Sequence, residues 1–104
     1  MAMHIKYSHT VVINNVDKTA ELVTITNTGT ANVNLSGWVL LSVTGNQSYT
    51  FPSIILSAGS SLTVASGGAT GDLIWTTGYI WNNSSSDPAQ LYDSNGKLVS
   101  SYTD

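Results

Sequence analysis

Glu21-Leu22-Val23-Thr24-Ile25-Thr26-Asn27-Thr28-Gly29 is the stretch that decides the fold class. Val23 and Ile25 alternate with Thr24 and Thr26, and a period of two puts the aliphatic pair on one face of an extended chain and the hydroxyls on the other. β-Branched side chains suit a pleated, half-buried surface. The run therefore reads as a strand over 21–26, ended by the turn chemistry of Asn27-Thr28-Gly29.

The same pattern repeats downstream. Leu35-Ser36-Gly37-Trp38-Val39-Leu40-Leu41 is predicted as a strand with Trp38 and Leu40 on the buried face and Val39 and Leu41 on the other. Ser48–Phe51 alternates, with Tyr49 and Phe51 inward, and stops at Pro52, which cannot donate to a ladder. Ser57-Ala58-Gly59-Ser60 reads as a turn, Leu62–Ala65 as a strand, Ser66–Asp72 as a glycine-rich loop and Leu73–Trp75 as a short strand. A polar stretch from Trp81 to Pro88 leads into Ala89–Tyr92. Asp93-Ser94-Asn95-Gly96 then turns the chain into Lys97–Tyr102, giving a terminal hairpin. No window of about 11 residues holds a helical period free of glycine or β-branched runs. The sum is an all-β chain of roughly seven to nine strands in two packed sheets. Its predicted core is Val23, Ile25, Leu35, Trp38, Leu40, Phe51, Leu62, Val64, Trp75 and Leu91.

Composition narrows the function classes. The chain has 104 residues, 41% of them hydrophobic and 9% charged, a formal net charge of -3 and no cysteine. That length builds one domain with a core needing no metal or disulfide staple. Three basic residues against six acidic ones disfavour strong nucleic-acid binding, which rests on lysine and arginine neutralising phosphates. No apolar run approaches the roughly 20 residues of a membrane span. Serine, threonine and asparagine wet the surface in place of charge, a composition that suggests an extracellular or cell-surface setting. The first residues lack the pattern of a signal peptide, which fits either an internal protein or a module cut from a longer chain. Residues 1–10 are expected to be a flexible or expression-derived segment, and 11–104 the domain.

The order of these signals resembles the bacterial branch of the lamin-tail domain family. The pieces that carry the resemblance are the Glu21–Gly29 run, Val33-Asn34-Leu35-Ser36-Gly37-Trp38, Tyr49-Thr50-Phe51-Pro52, Leu56-Ser57-Ala58-Gly59, Trp81-Asn82-Asn83 and Leu91–Val99. The resemblance implies an immunoglobulin-like sandwich of mostly antiparallel strands. It also implies a non-catalytic accessory module, a spacer or a protein- or ligand-binding unit, in a larger secreted or surface protein. It transfers no catalytic residue and no cofactor. These 104 residues contain neither coiled-coil heptads nor a basic run, so the filament and chromatin roles of nuclear relatives are not expected to carry over.

Several constellations bear on binding. Tyr79 and Trp81 beside Asn82, Asn83 and Asp87 present aromatic faces and amides that suit a sugar ring, or else the indole fills the core. Val39 and Leu41 leave two aliphatics on an outer face, either a contact surface for another domain or copy, or a patch that loops or the N-terminal segment cover. His4 and His9 lack the companion ligands of a zinc site. Asp72, Asp87 and Asp93 read as turn and capping residues rather than an acid/base pair, although a surface calcium site at Asp72 or Asp87 would be chemically reasonable. The expected partners are therefore other domains of the parent chain or another protein, or a carbohydrate. A module pairing through an exposed strand or the Val39/Leu41 face is the alternative assembly role.

Overall fold

A computed structural model describes residues 10–103. The expected N-terminal segment lies outside the described residues except for Thr10, as do His4 and His9. Thr10 accepts a hydrogen bond from the Thr28 N–H and donates its hydroxyl to Asn27.

Ten strands form among the described residues, and no helix does. They are β1 (Val11–Asp17), β2 (Leu22–Asn27), β3 (Val33–Asn34), β4 (Val39–Ser42), β5 (Gln47–Thr50), β6 (Ile55–Leu56), β7 (Ser61–Ala65), β8 (Leu73–Ile74), β9 (Ala89–Tyr92) and β10 (Leu98–Tyr102). One sheet runs β1-β2-β7-β8, a second β10-β9-β4-β5, and β3 pairs with β6. Every pairing is antiparallel except that of β8 with β7. The two larger sheets enclose one core, giving an immunoglobulin-like sandwich.

The alternation read from Val23 and Ile25 is realised, with both side chains fully buried and facing Val64 and Leu62 across the β2–β7 ladder. Leu40 and Leu91 are likewise register partners in the second sheet and fully buried. Such fully buried aliphatic chains contribute about 1.5–3 kcal/mol each relative to exposure.

The strand count exceeds the expected seven to nine because one long hairpin is broken. Leu35-Ser36-Gly37-Trp38 is a turn rather than the start of a strand: the Trp38 N–H bonds the Leu35 carbonyl at 2.9 Å, and Gly37 has φ +78. That geometry is the type II turn, which needs a positive φ at its third residue. The turn resets the side-chain parity, so Leu35 and Trp38, three positions apart, are both buried. Opposite it, Pro52 interrupts β5 from β6. Bonds from Leu35 N–H to Ile54, Gly37 N–H to Phe51 and Phe51 N–H to Trp38 carry the two arms across the break.

One seam of the sandwich closes where β1 meets β10. Ile13 N–H donates to the Ser100 hydroxyl at 3.0 Å, and the Tyr102 hydroxyl reaches Asn15 at 3.3 Å. The other seam, between edge strands β5 and β8, is filled with aromatics: Tyr49 packs edge-on against Phe51 and tilts toward Trp75, which meets Trp81 edge-to-face. Two expectations change here. Trp75 follows the edge strand and is only partly buried, packed against the core rather than within it, and Tyr49 is partly buried for the same reason.

Candidate functional site

The segment predicted to bind ligand begins where β8 ends. Trp75 N–H bonds the Ala65 carbonyl, and Gly67 N–H bonds the Gly78 carbonyl, so the chain after β8 stays alongside the chain after β7. Tyr79 then points outward, 79% exposed, while Ile80 and Trp81 turn inward.

Two buried carboxylates produce that inward turn. Glu21, 2% exposed, accepts hydrogen bonds from the Ile80 N–H at 2.6 Å, the Trp81 N–H at 2.9 Å and the Ser66 hydroxyl at 2.7 Å. Asp87, also buried, accepts the next amide, Asn82 N–H, at 2.9 Å, together with the Ser42 hydroxyl and the Thr44 N–H. Successive backbone amides from Ile80 to Asn82 are thus held by charge-assisted bonds, the stronger class, to acids from different parts of the chain. With the backbone fixed this way, the indole of Trp81 lies in the core at 4% exposure. Its N–H finds no acceptor there.

The five predicted ligand residues are therefore not one binding surface. Trp81 and Asp87 are buried and structural, so neither presents itself to a sugar. Asn82 is half-buried and caps a turn by accepting the Ser84 and Ser85 N–H groups. Asn83 and Tyr79 are exposed. Sequence reading missed Glu21 altogether, placing it in the strand; it sits before β2 at φ +58. The one available signal was scarcity, since a chain with so few charges spends one directly ahead of its most regular strand.

Other carboxylates among the described residues serve the backbone. Asp72 accepts the Thr63 N–H and hydroxyl, tying the glycine-rich loop to β7. Asp93 accepts the Asn95 and Lys97 N–H groups across the terminal hairpin turn, where Gly96 alone takes a positive φ, +79. Among the described residues no three of histidine, cysteine, aspartate or glutamate gather into a metal-binding group. No helix there is long and apolar enough to cross a membrane.

The outer face of the second sheet is the other candidate. Cross-strand register aligns Thr50, Val39, Tyr92 and Leu98 in one row, and Ser48, Leu41, Gln90 and Ser101 in the next. Val39, Leu41 and Tyr92 are half-buried, Leu98 is 48% exposed, and the Tyr92 hydroxyl is spent on Gln90 at 2.6 Å. Neither row contains a charged side chain. The face is thus wider than the Val39/Leu41 pair read from sequence, because Tyr92 and Leu98 reach it from strands far along the chain.

Among curated proteins, none matches the chain. Among protein families, the Lamin Tail Domain matches residues 6–104. With ten strands in an immunoglobulin-like sandwich behind that match, the chain belongs to the lamin tail domain family.

Proposed function

We propose that this lamin tail domain is a non-catalytic accessory module that docks against another folded protein surface through the outer face of the β10-β9-β4-β5 sheet. The observation that carries this reading is the pair of uncharged rows centred on Val39, Leu41, Tyr92 and Leu98. An apolar centre rimmed by serine, threonine and glutamine has the anatomy of a protein contact. The absence of charge there calls for a partner patch that is itself uncharged, since an unpaired charge brought against it would be desolvated without compensation. The buried roles of Asp87, Asp93 and Glu21 support the non-catalytic assignment, because each is occupied with backbone amides.

A photo-crosslinking residue at position 41 or 98, introduced in the cells that make the protein, tests the docking face. Both positions are expected to capture the same partner, and a control at Thr70 in the exposed glycine-rich loop is expected not to capture it. Capture from Thr70 alone, or no capture from either face position, would overturn the assignment.

The reading extends to an extracellular or surface-attached parent protein of the bacterial type. The low charge and the hydroxyl- and amide-rich surface support that setting. Fractionation of the producing cells with an antibody to the domain tests it, and retention in the cytoplasm is the opposing result.

A further inference from the structure

Tyr79 stands apart from both the core and the docking face. Among the described residues it is the most exposed of the large hydrophobic side chains, at 79%, yet the backbone on either side of it is fixed. The Gly78 carbonyl accepts from Gly67 at 2.8 Å, and the Ile80 N–H is held by buried Glu21 at 2.6 Å. An exposed aromatic on a mobile loop would lose conformational freedom on binding; one on a clamped segment has already lost most of it.

The ring also rests on a surface shaped for it. A β-carbon at Gly67 would come within 2.7 Å of Tyr79 Cδ1 and 2.9 Å of Cε1, so the Cδ1–Cε1 side of the ring occupies space that only glycine leaves open. Gly67 also has φ +62, a second reason for glycine there. The residue before it is equally spare: a β-carbon at Gly78 would meet only the Thr76 hydroxyl at 3.8 Å. The ring is therefore supported on one side by Gly67, and the residues leading into it, Thr76, Thr77 and Gly78, carry no large apolar side chain.

These surroundings select the ligand class. A protein hot spot sits within an apolar patch that excludes water, whereas Tyr79 rests against Gly67 and follows Thr77 and Gly78 in the chain. An open aromatic ring near threonine hydroxyls, with the Glu21 carboxylate behind it buried and occupied by backbone amides, suits a flat ring that is apolar on its face and hydroxylated at its edge. We propose that Tyr79, seated against Gly67 and held by the Glu21 clamp, is a stacking platform for a pyranose ring of a neutral polysaccharide. Different residues carry this site and the docking face, so either can fail without the other.

Affinity electrophoresis of the native chain in gels containing xylan, hydroxyethylcellulose, laminarin or galactomannan tests the proposal. At least one of these is expected to retard the protein. Tyr79→Ala is expected to weaken that interaction by about tenfold or more, the equivalent of about 1.4 kcal/mol, and Tyr79→Phe to stay within about threefold of the parent because stacking needs the ring rather than the hydroxyl. Since Tyr79 is exposed, the Ala variant should unfold at the parent temperature, which separates lost binding from lost folding. Retardation by none of the four polymers, or undiminished retardation of Tyr79→Ala, would overturn the proposal. So would a Tyr79-dependent complex formed with a protein in place of a glycan.

Discussion

Replacing Glu21 by glutamine leaves the side chain's shape almost unchanged and removes one of its two acceptor oxygens. In the parent, Oε1 receives the Ser66 hydroxyl and the Ile80 N–H, and Oε2 receives the Trp81 N–H. A glutamine oxygen placed at Oε1 keeps the first two partners, but its NH2 group then faces the Trp81 N–H, donor against donor. The lost bond to a charged acceptor is worth about 1.5–3 kcal/mol, and the buried donors left unpaired add about 1–3 kcal/mol. Relief of the carboxylate's desolvation offsets part of this, leaving a net loss of about 2–4 kcal/mol. For a domain of this size that lowers the melting temperature by on the order of 10–25 °C. Thermal melts followed by near-ultraviolet circular dichroism, which reports on the tryptophans held by the clamp, measure it.

A companion pair isolates the backbone contribution. Glu21→Ala and Glu21→Gly both abolish the clamp, but at φ +58 alanine also bears the left-handed cost that glycine avoids, so Glu21→Gly should be the more stable by about 1 kcal/mol. A Glu21→Gln melt within about 2 °C of the parent, a small fraction of the expected shift, would refute the clamp. Equal stability of the Ala and Gly variants would refute the assignment of conformational strain.

Three further outcomes follow from particular contacts. Ser42→Ala removes a fully buried hydroxyl that donates to Asp87 at 2.8 Å, and urea unfolding should show a loss of about 1.5–3 kcal/mol. Gly59→Ala and Gly37→Ala both place a side chain at positive φ, +76 and +78, and each should cost about 1 kcal/mol. Gly37→Ala should cost more of the two in the same urea assay, because its β-carbon meets Ser94 Cβ at 3.3 Å whereas that of Gly59 meets nothing within 4 Å. Burial pushes the Tyr49 phenol above its ordinary value. The folded state then holds its proton longer than the unfolded chain does, so this contribution to stability is complete below the ordinary phenol range and is lost as pH rises through the raised value. Alkaline titration at the tyrosinate absorbance should show a late-ionising component that Tyr49→Phe removes.

What the sequence revealed depended on how local each determinant was. Val23, Ile25, Leu62 and Val64 were legible because strand alternation is a property of neighbouring residues, and sheet pairing only completes it. Leu35 and Trp38 belonged to the predicted core, but the strand drawn through them hid the turn that buries both. Gly37 is read there as punctuation only once the Leu35–Trp38 bond is seen. Trp81 was ambiguous because its direction is set by Glu21, 60 residues earlier, and by Asp87 acting on the following amide. Glu21 itself escaped notice for the same reason: its partners Ser66, Ile80 and Trp81 lie 45, 59 and 60 residues away, beyond any local pattern. The docking face was half visible, since Val39 and Leu41 alternate within one strand while Tyr92 and Leu98 join them only through register.

The closed seam between β1 and β10 also has a mechanical meaning. Ile13 sits by Ser100 and Asn15 by Tyr102, so the two strands run in the same direction, and the described chain enters near one pole of the sandwich and leaves near the other. A load applied along a polypeptide joined at both ends would therefore act on this seam as sliding of one strand past its neighbour, engaging its side-chain bonds together rather than peeling them apart in turn.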